Sequence, residues 1–154
     1  MYEECGILTT NHTNSSSANC ARTIKQVEKD KFVFFKKECY EIYACVYAVN
    51  KKLGAGFLEA IYQEAFEIEL KKKNIPFFSQ KELEISYDGI PLKKKYIADI
   101  ICYDKIIIEI KAVSKIDNQH RAQLMNYLKA TGCKLGLLVN FNSFPKAEII
   151  RIVK

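Results

Sequence analysis

Residues 96–111, YIADIICYDKIIIEIK, constrain this chain more than any other stretch. Two isoleucine-rich runs flank the short polar turn Tyr103, Asp104 and Lys105, and the pattern predicts two adjacent antiparallel strands joined by a hairpin. Side chains alternate across a strand, so Glu109 and Lys111 fall on one face while Ile108 and Ile110 take the other. A turn centred on Asp104 sets Ile100 opposite Ile108 and Asp99 opposite Glu109; a two-residue turn shifts that register by one. Two carboxylates ~5 Å apart at an effective dielectric of ~20 repel by about 3 kcal/mol. Such a pair needs positive charge beside it. Lys111 is one source and a divalent cation another, since carboxylate oxygens suit Mg²⁺ or Mn²⁺. An ion pair with Lys111 alone, or a polar face turned to solvent, also satisfies the pattern.

The rest of the chain has to build a core around this hairpin. Of 154 residues, 49% are apolar and 27% charged, which is a globular balance sufficient for one domain. The formal net charge is +6, with lysine runs at Lys71–Lys73 and Lys93–Lys95. That excess suits nucleic acid and equally suits a solvated lysine-rich surface. Cys5, Cys20, Cys39, Cys45, Cys102 and Cys133 form no C-x-x-C pair and no zinc-like spacing. Free thiols in a reducing compartment are expected. With no apolar run near the ~20 residues of a membrane span and no secretory pattern at Met1, a cytoplasmic protein without a membrane partner is expected.

Residues 1–36 read as a polar tail, disordered or partly helical, ahead of a domain over residues 37–154. From Glu38, Cys39, Ile42, Cys45, Val46 and Val49 recur at helical spacing, until Gly54 and Gly56 stop the helix. A second helix is expected from Phe57 to Lys73, with Leu58, Ile61, Ala65 and Ile68 facing inward. Glu59 sits in its first turn, where the helix dipole favours an acid, and Tyr62 follows on a neighbouring position of the same face. Residues 81–87 alternate as a strand, and Asp88-Gly89 signals a turn toward the strand bearing Asp99, completing a three-stranded meander. A helix opening at the N-cap Asp117 carries His120, Gln123 and Tyr127 on one stripe and Leu124 and Leu128 on the next. Leu135–Phe141 reads as a buried strand reached by a helical crossover, and Glu148–Val153 as an edge strand.

That element order, with Asp and then Glu-x-Lys on successive strands, resembles the PD-(D/E)XK nuclease-like superfamily. More narrowly, Gly56-Phe57-Leu58-Glu59-Ala60-Ile61-Tyr62 resembles the signature of the GxxExxY protein family. Residues 96–99, 108–112, 120–129 and 135–141 agree with that family in the same order. The resemblance implies an α/β (α+β) restriction-endonuclease-like fold, a mixed sheet flanked by helices with an αβββαβ core. It implies that Asp99, Glu109 and Lys111 are catalytic, supported by Gln123 and Tyr127 as a Q-x-x-x-Y element. Glu59, Asp99 and Glu109 would hold Mg²⁺ or Mn²⁺, while His120, Tyr62, Lys93, Lys94 and Lys95 would meet the substrate. The activity implied is metal-dependent phosphodiester hydrolysis of nucleic acid, with DNA favoured. The alternatives are a non-catalytic nucleic-acid-binding or assembly module on the same fold, and a hydrolase acting on another substrate. Oligomeric state is left open.

Overall fold

Pairing rules and the two apolar periods assign most of the chain, and a computed structural model describes residues 34–154. The expected tail over residues 1–36 lies, except for its last three residues, outside the described residues. Helix α1 (Lys36–Leu53) buries the expected stripe of Cys39, Ile42, Cys45, Val46 and Val49, and stops at Gly54, whose φ of 69° suits a residue without a Cβ. Helix α2 (Glu59–Lys72) departs from expectation in its inner face. Tyr62, Phe66 and Leu70, at i, i+4 and i+8, are buried, whereas Leu58, Ile61 and Ile68 are exposed. Two apolar stripes compete on this helix, and the one carrying both rings removes more area from water. Leu58, standing at the N-cap, is not on the helix at all.

The main sheet has the order β1-β4-β5-β6-β7, built from β1 (Phe77–Leu83), β4 (Tyr96–Cys102), β5 (Ile106–Lys111), β6 (Leu135–Asn140) and β7 (Glu148–Val153). Neighbours are antiparallel except β5 and β6, which run parallel through the crossover helix α3 (Asn118–Thr131). The expected meander therefore exists, but the strand predicted over 81–87 is displaced. β1 begins at Phe77, and residues beyond Leu83 leave the sheet to form a separate hairpin, β2 (Ser86–Tyr87) with β3 (Ile90–Pro91). Its turn carries φ of 50° at Asp88 and 78° at Gly89, as a tight hairpin turn with two positive φ values requires. An edge strand exposed over most of its length shows little apolar alternation, so its ends were not marked in the sequence.

The sheet separates two cores. α1 and α2 cover Ile100, Ile106, Ile108, Ile110, Leu135, Leu137 and Val139. On the other face Leu124 and Leu128 of α3 cover Ala98, Ile101, Ile107 and Leu138. Gly136 lets this helix approach closely, because a Cβ there would stand 2.8 Å from Leu124. Such helices on both faces of a mixed five-stranded sheet make the restriction-endonuclease-like α+β fold that the sequence led us to expect. Among the described residues no helix is long and apolar enough to cross a membrane. Cys39, Cys45, Cys102 and Cys133 are free thiols, the first three buried.

Candidate active site

The hairpin register runs Cys102↔Ile106, Ile101↔Ile107 and Ile100↔Ile108, as a turn centred on Asp104 dictates. Regular pairing ends there. The β1–β4 ladder likewise skips Gln80 and Asp99, and Gln80 takes a φ of 50°. Past this point the facing of β4 reverses: Ala98 joins the α3-side core although Ile100 belongs to the opposite one. An irregularity of this kind re-aims a side chain. Here the Asp99 carboxylate, instead of the sheet ladder, accepts the Ile110 N–H at 2.8 Å.

Around that break the acids and the lysine converge. Glu109 is only 3% exposed. Its carboxylate accepts the Tyr96 hydroxyl and lies 3.6 Å from the Lys111 ammonium. Burial pushes its pKa up to about 7, against the pull of Lys111, while Glu59 adds a further upward push. Asp99 is raised as well, chiefly by burial; the Ile110 N–H and Lys111 oppose the shift, and Glu59 reinforces it. Glu59, at the first position of α2, accepts the Ala112 N–H at 3.1 Å, which fixes the helix start against the residue after β5. Glu59, Asp99, Glu109 and Lys111 thus occupy one electrostatic neighbourhood.

The second wall is α3. Gln123 donates to the Tyr127 hydroxyl, and the Tyr127 ring stacks on Tyr96, whose own hydroxyl holds Glu109. Burial raises the Tyr127 pKa, Gln123 opposes it, and Glu109 adds to it. Gln123 and Tyr127 of the expected polar stripe therefore connect to Glu109 through Tyr96, a tyrosine to which the sequence assigned no role. Tyr96 gave no distinguishing signal, because its orientation depends on the reversal at Asp99. Asn140 was also missed. It is fully buried, accepts the N–H of Val113 and of Asn142, and donates to the Val113 carbonyl, clamping together the loops that leave β5 and β6.

Other expected site residues stand elsewhere. Tyr62 is fully buried, stacked on Phe141 with ring centroids 4.7 Å apart. Its hydroxyl donates to the Gly54 carbonyl and accepts the Phe57 N–H, so it ties down the turn before α2 and has no surface left for a substrate. The ring belongs to the stripe that won the inner face of that helix. His120 closes a capping box: its Nδ1 accepts the Asp117 N–H while Asp117 accepts the His120 N–H. Lys93 and Lys94 are exposed between β3 and β4, and Lys95 is paired with Glu82 at 2.8 Å.

Among the described residues no three histidine, cysteine or acidic side chains stand as a ready-made cation cage. The donor chemistry nevertheless suits Mg²⁺ or Mn²⁺, because Glu59, Asp99 and Glu109 offer hard oxygen donors.

No curated protein matches this chain. A solved structure titled "Crystal structure of SSO0001" is similar to it, at 28% identity and a TM-score of 0.49 over 79% of the chain, which spans 60% of that neighbour's length. The sequence profile of the PD-(D/E)XK nuclease superfamily matches residues 36–152, from the first residue of α1 to the penultimate residue of β7, and the chain belongs to that superfamily.

Proposed function

We propose that this protein is a metal-dependent nuclease that hydrolyses phosphodiester bonds, with DNA as its first substrate, and that it is a GxxExxY protein acting in the cytoplasm. The observation that carries the reading is the convergence of Asp99, Glu109 and Lys111, joined by Glu59, at the point where β4 and β5 stop pairing. The Gly56–Tyr62 pattern supports the narrower family, and the free thiols support a reducing compartment. The domain over residues 37–154 is the unit we assign to the activity.

Glu59, Asp99 and Glu109 are the residues that would hold Mg²⁺ or Mn²⁺, which when bound supplies Lewis acidity toward phosphate oxygens and lowers the pKa of water. Asp99 is fixed in direction by the Ile110 N–H and Glu109 by the Tyr96 hydroxyl, so neither carboxylate has to be ordered when substrate arrives. Lys111 carries three donors and no acceptor; it orients the attacking water and stabilises negative charge growing on the phosphate. Gln123 and Tyr127 hold Tyr96 in place, and Lys93, Lys94 and Lys95 draw in the phosphate backbone. Cleavage that follows strand structure or ends, rather than a recognition sequence, is the expected behaviour.

The test is incubation of purified protein with Mg²⁺ or Mn²⁺ and single- and double-stranded DNA and RNA. Cleavage that disappears on chelation and in both Asp99→Ala and Lys111→Ala is expected. Cleavage that survives both substitutions would come from a contaminant and would end the assignment. Salt-sensitive binding without cleavage in the parent protein would instead make the chain a binding module.

A further inference from the structure

The loop leaving β6 is built in an unusual way. Phe141 and Ala147, at its two ends, are buried. The Phe141 N–H donates to the carbonyl of Lys111 at 3.0 Å, the Asn142 N–H to Asn140, and the Ala147 N–H to the Asn50 side chain of α1 at 3.1 Å. Between these pins Phe144 stands 92% exposed, more than any other large apolar side chain described. β5 and β6 are parallel, so this loop leaves the sheet at the same end as Lys111. Three residues of chain reach at most about 10 Å, which keeps the Phe144 backbone within a few nucleotides' span of Lys111. Neither this loop (residues 141–147) nor the facing one (112–116), clamped to it by Asn140, contains an acid, while Lys115 and Lys146 are exposed on them. Lys146 also lies 5.7 Å from the Tyr47 ring centroid, which gives the loop a further hold on α1.

A lone exposed apolar side chain needs no explanation. A ring 92% exposed on a loop held at both ends, with exposed lysines beside it and the candidate active site at its base, is a different arrangement. We propose that Phe144 is a stacking platform for a nucleobase, so that the preferred substrate offers an unpaired base next to the scissile phosphate: a single strand or a frayed end rather than unbroken duplex. The proposal rests on the nucleic-acid reading above and goes beyond it in naming the form of the strand. Aromatic side chains hold single strands without sequence preference because every base has a π-face, and lysines beside them track the phosphates.

The chain contains no tryptophan, so Phe144→Trp places a single indole reporter at the proposed contact. Binding of a single-stranded oligodeoxynucleotide, and of a duplex sealed by hairpins at both ends, is measured for the full chain in chelator, which keeps both probes intact. Phe144→Ala is expected to weaken single-strand binding about tenfold or more and to leave sealed-duplex binding unchanged. Phe144→Trp is expected to keep parental affinity, with its emission quenched by the single strand. Single-strand binding by Phe144→Ala equal to that of the parent would overturn the proposal, as would an indole emission that saturating oligonucleotide does not move, or an equal loss on both probes. These results leave the nuclease reading standing. A parent chain that binds neither probe removes that reading and this one together.

Discussion

Burying Glu109 among apolar neighbours makes its ionised form expensive, and that cost fixes how the protein responds to pH. The folded state holds this proton more tightly than the unfolded chain does, with a pKa moved from 4.5 to about 7. The resulting stability is fully present below pH 4.5 and is lost as pH rises through about 7, a change on the order of 3 kcal/mol. Asp99 is shifted in the same direction. The urea midpoint of the parent chain should therefore fall between pH 5 and pH 8, and Glu109→Gln should flatten much of that fall; an equal slope in both proteins would contradict the burial account. Tyr96→Phe separates the ring from the hydroxyl. The stack on Tyr127 survives, the donor to Glu109 is lost, and about 1.5–3 kcal/mol should disappear at pH 8, where the carboxylate is charged, with less lost at pH 5. Asp99, Glu109 and Lys111 were legible because a two-residue period on a strand puts polar groups among isoleucines where nothing else explains them. Tyr62 and Tyr96 were not. A tyrosine serves equally as core or as surface, and only the partner chosen by its hydroxyl decides which.

Single elements carry the site as much as single residues do. The placement of α3 depends on Gly136, since a methyl group there would press on Leu124, which is itself fully buried and has no space to yield. Gly136→Ala is expected to cost 1–3 kcal/mol by overpacking and, by lifting α3, to loosen the Tyr96–Tyr127 stack; near-UV circular dichroism of the tyrosines reads both effects. Asp117→Ala removes the N-cap of the same helix and should lower stability by about 1 kcal/mol in thermal unfolding. The cap at Asp117 was readable because capping chemistry is local. The inner face of α2 was misread for a reason that is not local: two apolar stripes fit the helical period, and only the partner ring Phe141, far away in sequence, favours the one containing Tyr62 and Phe66. The ends of β1 were hidden because an exposed edge has no apolar face to write its pattern.

For the whole molecule, the order of elements was legible because few topologies satisfy a hairpin, a crossover helix and a continuous apolar strand in sequence. What that order could not express was the break at Gln80 and Asp99, where both strands leave the ladder together and the Asp99 carboxylate takes the Ile110 N–H. The native state brings Asp99 and Glu109 within electrostatic reach of both Glu59 and Lys111, a grouping the unfolded chain does not share. Any cation bound there stabilises the native state alone, by RT ln(1 + [L]/Kd), which is about 2.7 kcal/mol at a hundredfold excess over Kd. Saturating Mg²⁺ or Mn²⁺ should therefore raise the unfolding midpoint by several degrees without any nucleic acid present. The same ions should leave Asp99→Asn and Glu109→Gln within a degree of their metal-free values, because each substitution removes one of the charges that draws the cation in. A parent midpoint indifferent to both metals up to tens of millimolar would mean that Lys111 and burial alone balance these acids, and the site would have to be understood as an ion network rather than a metal centre.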